Sequence, residues 1–193
     1  MILRERDLPN LWRARLKEIQ KTFPNAVIAG GCLRDLACGK EIKDVDVFIP
    51  NSKEIQEDLN DFKLNHTTQI IRTVKDSYGN WACNDVKDIL TLTWGSLQVE
   101  IITVDVTKDH IVDRFDFGIC QVQYDGTEVY YTKEFEKDYL NKTFTLINCK
   151  NEEQHTRSIK RFEAFHKGKY SDYSLVDAWD KTYKKKKGSV KFS

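Results

Sequence analysis

Residues 26–49, AVIAGGCLRDLACGKEIKDVDVFI, decide the fold class and carry most of the chemistry that the sequence shows. Ala26–Ala29 is a short apolar strand, Gly30-Gly31 turns the chain, and a helix runs on to about Cys38, closed by Gly39 in a C-cap position. Asp44–Ile49 then alternates Asp-Val-Asp-Val-Phe-Ile, the period of a strand with one apolar face and one face bearing both carboxylates. A strand that ends in Gly-Gly and opens a helix presents bare backbone N–H groups at the positive end of a helix dipole, which makes a phosphate cradle. The same glycines also suit a tight turn that needs them for backbone angles alone. Arg34, one helical turn in, can grip the same anion bidentately or form a surface ion pair. Asp44 and Asp46 project from one face, close enough to share a hard divalent cation such as Mg²⁺. The alternative, an edge strand with a solvated acidic face, leaves the glycines and Arg34 unexplained.

Outward from this stretch, Leu8, Leu11, Trp12, Leu16 and Ile19 recur at helical spacing and predict an amphipathic helix over residues 8–22, ended by Pro24. Ser52 is a natural N-cap for a helix over residues 53–62. Strands are expected at Thr67–Val74, Ile89–Trp94 and Leu97–Val104, the last two joined by a Gly95-Ser96 hairpin turn, with loop at Asp76–Asn80. A helix around Lys108–Phe115 leads into a strand Phe117–Tyr124, which a turn at Asp125-Gly126 pairs with Glu128–Thr132. A helix Lys133–Leu140, a strand Thr143–Ile147 and a helix Glu152–His166 complete the series. The chain is α+β, or mixed α/β, with helices around a mixed, hairpin-rich sheet.

The charge is nearly balanced, 31 basic against 30 acidic residues, so no whole-chain field points to nucleic acid or membrane. Cys32, Cys38, Cys83, Cys120 and Cys149 are irregularly spaced, without the short pairs that hold zinc, and read as reduced thiols. The charged N-terminus is no signal peptide, and no apolar run approaches the roughly 20 residues that cross a bilayer. A cytoplasmic protein without a membrane partner is the expectation; the oligomeric state stays open. The lysine-rich stretch at 181–193 reads as a mobile, solvated tail, with an RNA contact as its functional alternative. His66, His110, His155 and His166 are scattered and read as surface or satisfied histidines. Tyr170, Tyr173 and Trp179 could stack on a base or bury a C-terminal segment against the body.

The set Gly30-Gly31, Arg34-Asp35, Gly39, Lys43, Asp44 and Asp46 resembles the signature of the class II CCA-adding and bacterial poly(A) polymerase group, in the polymerase-β nucleotidyltransferase superfamily. The resemblance implies a polymerase-β-type nucleotidyltransferase head over residues 1–148, a short helical neck-like extension over 149–180, and the tail. It also implies a third carboxylate on a later strand. Glu100, between Val99 and Ile101, is that candidate, with Asp105 in reserve. Asp44, Asp46 and Glu100 would then be the catalytic, metal-holding residues for Mg²⁺ or Mn²⁺, and Gly30, Gly31, Arg34 and Asp35 would bind the nucleotide.

Farther on, Val112–Val122 is similar to the group's second motif, which implies Arg114 on the triphosphate and Asp116 on the ribose hydroxyls. Phe115 stands where the group has a second arginine, and Gly118-Ile119-Cys120 replaces its Thr-Ile/Met-Asn. Phe135–Thr143 resembles the Gly-x-x-Asp-Leu segment, with Asp138 at the acidic place and the glycine missing. The helix with Arg157, Lys160, Arg161 and Phe162 is similar to the arginine-rich neck, whose basic side chains face the nucleotide; an ordinary solvated basic face is the other reading. Together these imply a nucleotidyltransferase that moves a nucleoside monophosphate from an NTP to an acceptor hydroxyl, an RNA or tRNA 3′ end above all, with release of pyrophosphate. A protein or small-molecule acceptor, or a nucleotide-binding module without turnover, are the alternatives.

Overall fold

The computed structural model describes residues 2–65, 70–75, 86–105 and 111–179, with the backbone alone for 63–65 and 70–75. The expectations for Asp76–Asn80, Cys83, His66, His110 and the tail at 181–193 lie outside these residues, as do parts of Thr67–Val74 and Lys108–Phe115. Among the described residues a seven-stranded sheet runs in the order β3-β4-β5-β2-β1-β6-β7. Its strands are β1 (Val27–Ala29), β2 (Asp44–Pro50), β3 (Ile70–Lys75), β4 (Val86–Trp94), β5 (Leu97–Val104), β6 (Val122–Tyr124) and β7 (Val129–Tyr131). Within this sheet only β2 and β5 pair in parallel; the other neighbours are antiparallel. The mixed, hairpin-rich sheet flanked by helices is the α+β architecture expected.

One face of the sheet, carrying Ile28, Val45, Val47, Leu90, Leu92, Val99, Ile101, Val122 and Tyr124, belongs to the main core. The helix α1 (Asn10–Gln20) brings Trp12, Leu16 and Ile19 to this core, and α3 (Lys53–Asn65) brings Leu59 and Phe62. Leu11, included in the expected apolar stripe, stands 43% exposed, because the 3.6-residue period turns it away from the side that Trp12, Leu16 and Ile19 share. On the opposite face a smaller cluster of Val27, Ala29, Phe48, Ile89, Ile102, Val104 and Ile111 covers only part of the sheet. The rest of that face is polar, and the candidate site lies there.

The expected strand Phe117–Tyr124 is in fact a 3₁₀ turn, Gly118–Cys120, followed by the three-residue β6. Asp138 explains the turn. This carboxylate, fully buried in α4 (Lys133–Asn141), accepts the Ile119 N–H at 2.8 Å and the Thr145 N–H at 2.9 Å, and the hydroxyls of Thr143 at 2.6 Å and Thr145 at 2.5 Å. A Cβ on Gly118 would lie 2.8 Å from Asp138 Oδ2, so only glycine admits the approach. Downstream, β8 (Thr143–Leu146) pairs in parallel with β9 (Ser174–Asp177), a strand that period and composition did not announce. The aromatic cluster beneath it, with Tyr170 and Tyr173 buried beside Phe117, Phe144 and Phe162, closes α5 (Glu152–Lys167) onto the body.

Candidate active site

Strand register places one row of side chains across the polar face. Thr91, Glu100 and Asp46 lie side by side on β4, β5 and β2. Continuing the β1–β2 register by one step sets Ala29 opposite Asp46, and Ala29 in turn pairs with Gln123 of β6. Strands in a sheet lie about 4.8 Å apart, so Asp46 and Glu100 are immediate neighbours although 54 positions separate them in the chain. Asp44 is on the same face, two residues along β2, opposite Gln98, whose Nε2 donates to Glu100 Oε1 at 3.4 Å. Three carboxylates singled out in the sequence thus share one patch. Asp105, the reserve candidate, lies one residue past the end of β5, at the opposite parity to Glu100, and accepts instead from Lys87 Nζ at 2.9 Å and Asn51 Nδ2 at 2.7 Å.

Crowding leaves an electrostatic mark. Removal from water, and then the neighbouring Asp44 and Glu100 charges, push the Asp46 carboxyl up to about 8, while the guanidiniums of Arg34 and Arg161 pull the other way. All three donors are hard carboxylate oxygens, the set that suits Mg²⁺ or Mn²⁺, and a cation would relieve the repulsion that raises Asp46. Among the described residues, no group of three or more His, Cys, Asp or Glu side chains is drawn together as ready-made metal ligands. The chemistry of these carboxylates fits the ion.

The helix α5 supplies the positive side. Arg161 pairs with Asp116 Oδ1 and lies over the Phe117 ring at 5.3 Å, and its charge reaches Asp46. Asp116, 5% exposed, also accepts Ser158 Oγ at 2.5 Å and its neighbour Phe117 N–H at 3.0 Å. Arg157 pairs with Glu153 at 2.9 Å. The Nε of Arg161 and Nη1 of Arg157 are buried without a hydrogen-bond partner, so α5 keeps two donors in reserve. Lys160 points to solvent. Arg114, in the 3₁₀ turn Val112–Arg114, is partly buried, and its charge reaches Asp105.

Gly30 has φ +84°, which L-residues rarely adopt, and a Cβ there would stand 3.3 Å from the Phe115 ring; the turn into α2 (Gly31–Ala37) needs that glycine. Arg34 and Asp35, expected on the nucleotide, are placed otherwise. Arg34 is 4% exposed and donates from Nε to Asp35 Oδ1 at 2.7 Å and to Tyr170 Oη at 3.1 Å. Its guanidinium also reaches Cys120 Sγ at 3.3 Å and lies over the rings of Phe165 and Tyr170 at 4.7 and 5.1 Å. Asp35 further accepts Tyr170 Oη at 2.6 Å and pairs with Lys169. The pair therefore ties α2 to the C-terminal segment, and Arg34 meets the carboxylate row through its field.

The burial reading of the C-terminal aromatics holds for Tyr170 and Tyr173, while Trp179 stacks on His155 at 4.7 Å and donates to the Cys149 carbonyl at 3.0 Å. The sequence alone does not single out Lys169 and Ser158, which hold Asp35 and Asp116, or Gln123, which lies in the row. A polar residue between Val122 and Tyr124 of an expected strand was the available signal for Gln123; nothing local marks the other two.

Residues 5–142 match the profile of the Gabija anti-defense 2 family. The chain belongs to that family. No curated protein matches the sequence. Among solved structures, the Thermotoga maritima CCA-adding enzyme complexed with tRNA is 18% identical with a TM-score of 0.57, over 91% of this chain and 40% of its own. The Bacillus stearothermophilus CCA-adding enzyme in complex with CTP is 13% identical with a TM-score of 0.59, over 88% and 42%. A tRNA-processing enzyme in its apo form is 16% identical with a TM-score of 0.58, over 92% and 46%. This Gabija anti-defense 2 chain thus spans less than half the length of these structures and shares with them a nucleotidyltransferase-like fold. The resemblance to the CCA-adding group holds at the level of the fold, while the family is another one. No described helix is long and apolar enough to cross a membrane.

Proposed function

We propose that this chain is a metal-dependent nucleotidyltransferase that moves a nucleoside monophosphate from an NTP to an acceptor hydroxyl. The observation that carries the reading is the in-register placement of Asp46 beside Glu100, with Asp44 on the same face. These three residues would hold one or two Mg²⁺ or Mn²⁺ ions, which when bound lower the pKa of a hydroxyl and neutralise phosphate charge. The new bond joins the acceptor oxygen to the α-phosphorus, and the bond from that phosphorus to pyrophosphate breaks. Gly31, at the start of α2, would bring bare backbone to the polyphosphate beside the row, while Gly30 shapes the turn beneath Phe115 with its N–H held by the Val122 carbonyl at 2.9 Å. Arg161 and Arg157 offer their unpartnered nitrogens to the nucleotide from α5. Arg34 and Asp35 contribute by fixing α2 and, for Arg34, by the field it sets at Asp46. Arg114 approaches the triphosphate from its turn, and Lys160 the solvent side of the nucleotide. Catalysis rests on positioning and on charge set in place beforehand.

CCA-adding neighbours complexed with tRNA and CTP favour an RNA or tRNA 3′ end as acceptor. The family description favours a second reading, in which the acceptor is a protein or small molecule of the defence that the name Gabija denotes, and the transfer serves anti-defense. Incubation with Mg²⁺, each labelled NTP, and tRNA or extracts fractionated into protein and small molecules separates the two. Label should enter one acceptor class with release of pyrophosphate, and Asp44→Ala with Asp46→Ala should abolish it. Full transfer by that double variant would refute the carboxylate assignment.

A further inference from the structure

Resting on that reading, we propose that Gln123 is a substrate-contacting residue, which binds a sugar hydroxyl of the nucleotide. Gln123 stands in the same sheet row as Glu100 and Asp46, with Ala29, fully buried in the apolar cluster that Phe115 packs against, at the position between. Two strand spacings, about 10 Å of main chain, separate it from Asp46. A nucleotide whose α-phosphate lies at the carboxylates has its sugar next to that phosphate, within reach of a glutamine from this distance.

The state of the amide is the second observation. Gln123 is 7% exposed, and its Oε1 is buried without any hydrogen-bond partner. It is the single buried side-chain acceptor left in this condition among the described residues; the other three unpartnered atoms, on Arg13, Arg157 and Arg161, are donors. Gln121, two positions earlier, shows what the fold does with a structural glutamine: its Oε1 accepts Thr132 Oγ at 2.9 Å and its Nε2 donates to the Phe115 carbonyl at 3.4 Å. An unsatisfied buried amide destabilises a chain, so its position on the site face points to a ligand that completes it. Whichever way the amide is rotated, a hydroxyl can meet it, because a hydroxyl both donates and accepts.

Asp116, the residue expected to take the ribose hydroxyls, already carries Arg161, Ser158 and the Phe117 N–H. Gln123 offers an acceptor with no partner, whereas three donors already engage Asp116. Near it, Phe115 packs edge-on to Phe48 at 5.4 Å and covers Gly30, so an apolar wall bounds the space beside Ala29.

The test uses the full chain, the variants Gln123→Leu and Gln123→Met, and titration calorimetry in Mg²⁺. Each of the four NTPs is titrated first, and then the 2′-deoxy and 3′-deoxy forms of the tightest. The wild type should prefer the ribonucleotide over one deoxy form by about 5- to 10-fold, the worth of one hydrogen bond. Both variants should lose that preference and bind the ribonucleotide weaker by about the same factor, with an unliganded melting temperature equal to or above the wild type's. Variants that keep the preference overturn the proposal. So does a wild type that binds NTPs without any ribose preference, while nucleotide binding itself stands. Loss of folding in both variants would show that the fold satisfies the amide, and overturns the proposal too. A wild type that binds no NTP removes the nucleotidyltransferase reading, and the role of Gln123 with it.

Discussion

Asp46→Asn tests the carboxylate row without any substrate. In the folded chain the Asp46 carboxyl is raised from 3.8 to about 8, by loss of hydration first and by Asp44 and Glu100 next. Between these values the folded state holds a proton that the unfolded state has released, so stability falls as pH rises through the window and the loss is complete above about 8. At about 1.4 kcal/mol per pH unit, the four units would amount to roughly 6 kcal/mol. Asp46 is partly exposed, so water relaxes around the charge, and an effect of about 2–3 kcal/mol is the realistic figure. Asn has nearly the same shape and does not ionise. Urea denaturation in EDTA should show the variant and the wild type alike near pH 4 and the variant more stable by about 2–3 kcal/mol at pH 8, equivalent to about 4–12 °C in melting temperature for a chain of this size. Added Mg²⁺ should stabilise the wild type at pH 8 and do little for the variant. A difference that does not grow between pH 5 and pH 8 would refute the argument, since it would mean that Asp46 is not crowded by its neighbours.

Arg161→Ala removes the cation beside the buried Asp116 carboxylate and should cost about 1–3 kcal/mol in chemical denaturation, with weaker NTP binding; unchanged stability would show that the pair is solvent-screened. Asp138→Asn turns one acceptor oxygen of a four-donor hub into a donor facing donors, and should cost about 3 kcal/mol, with loss of the ordered near-ultraviolet signal from the aromatic cluster; a cost under about 1 kcal/mol would contradict the hub. Gly30→Ala forces an L-residue to φ +84° against the Phe115 ring and should lower stability by about 1–2 kcal/mol, whereas Gly39→Ala, with open space around it, should show the backbone part alone.

The local part of this structure was legible because period and punctuation are local. Asp44–Ile49 alternates and forms β2; Gly30-Gly31 turns and opens α2; Gly95-Ser96 makes the β4–β5 hairpin with Gly95 at φ +66°. What escaped was long-range. No pattern near Ser174–Asp177 shows that it pairs with β8, because its own burial is slight and the pairing is set by Tyr170 and Tyr173 locking beneath Phe144. The turn Gly118–Cys120 reads as strand because Phe117, Ile119 and Val122 are apolar, and the reason it bends is a carboxylate twenty positions away from Gly118. The same holds for Arg34 and Asp35: the motif places them at a phosphate, while Tyr170 and Lys169, 134 to 136 positions on, occupy them.

The charges around the row also constrain what can bind there. Two guanidiniums oppose the carboxylates at Asp46, yet each is already matched by an acid of its own, Arg34 by Asp35 and Arg161 by Asp116. Neither is left to neutralise Asp44, Asp46 and Glu100 as a set. A triphosphate brought to this face in the absence of a cation meets like charge at short range, and the repulsion is stronger where the sheet excludes water. Nucleotide binding at the row and divalent-cation binding are therefore coupled: each should tighten the other by the same factor. Titrating an NTP with and without Mg²⁺, and Mg²⁺ with and without the NTP, measures both sides of that coupling. Affinity for the nucleotide that is independent of the ion would place the phosphates away from Asp44, Asp46 and Glu100.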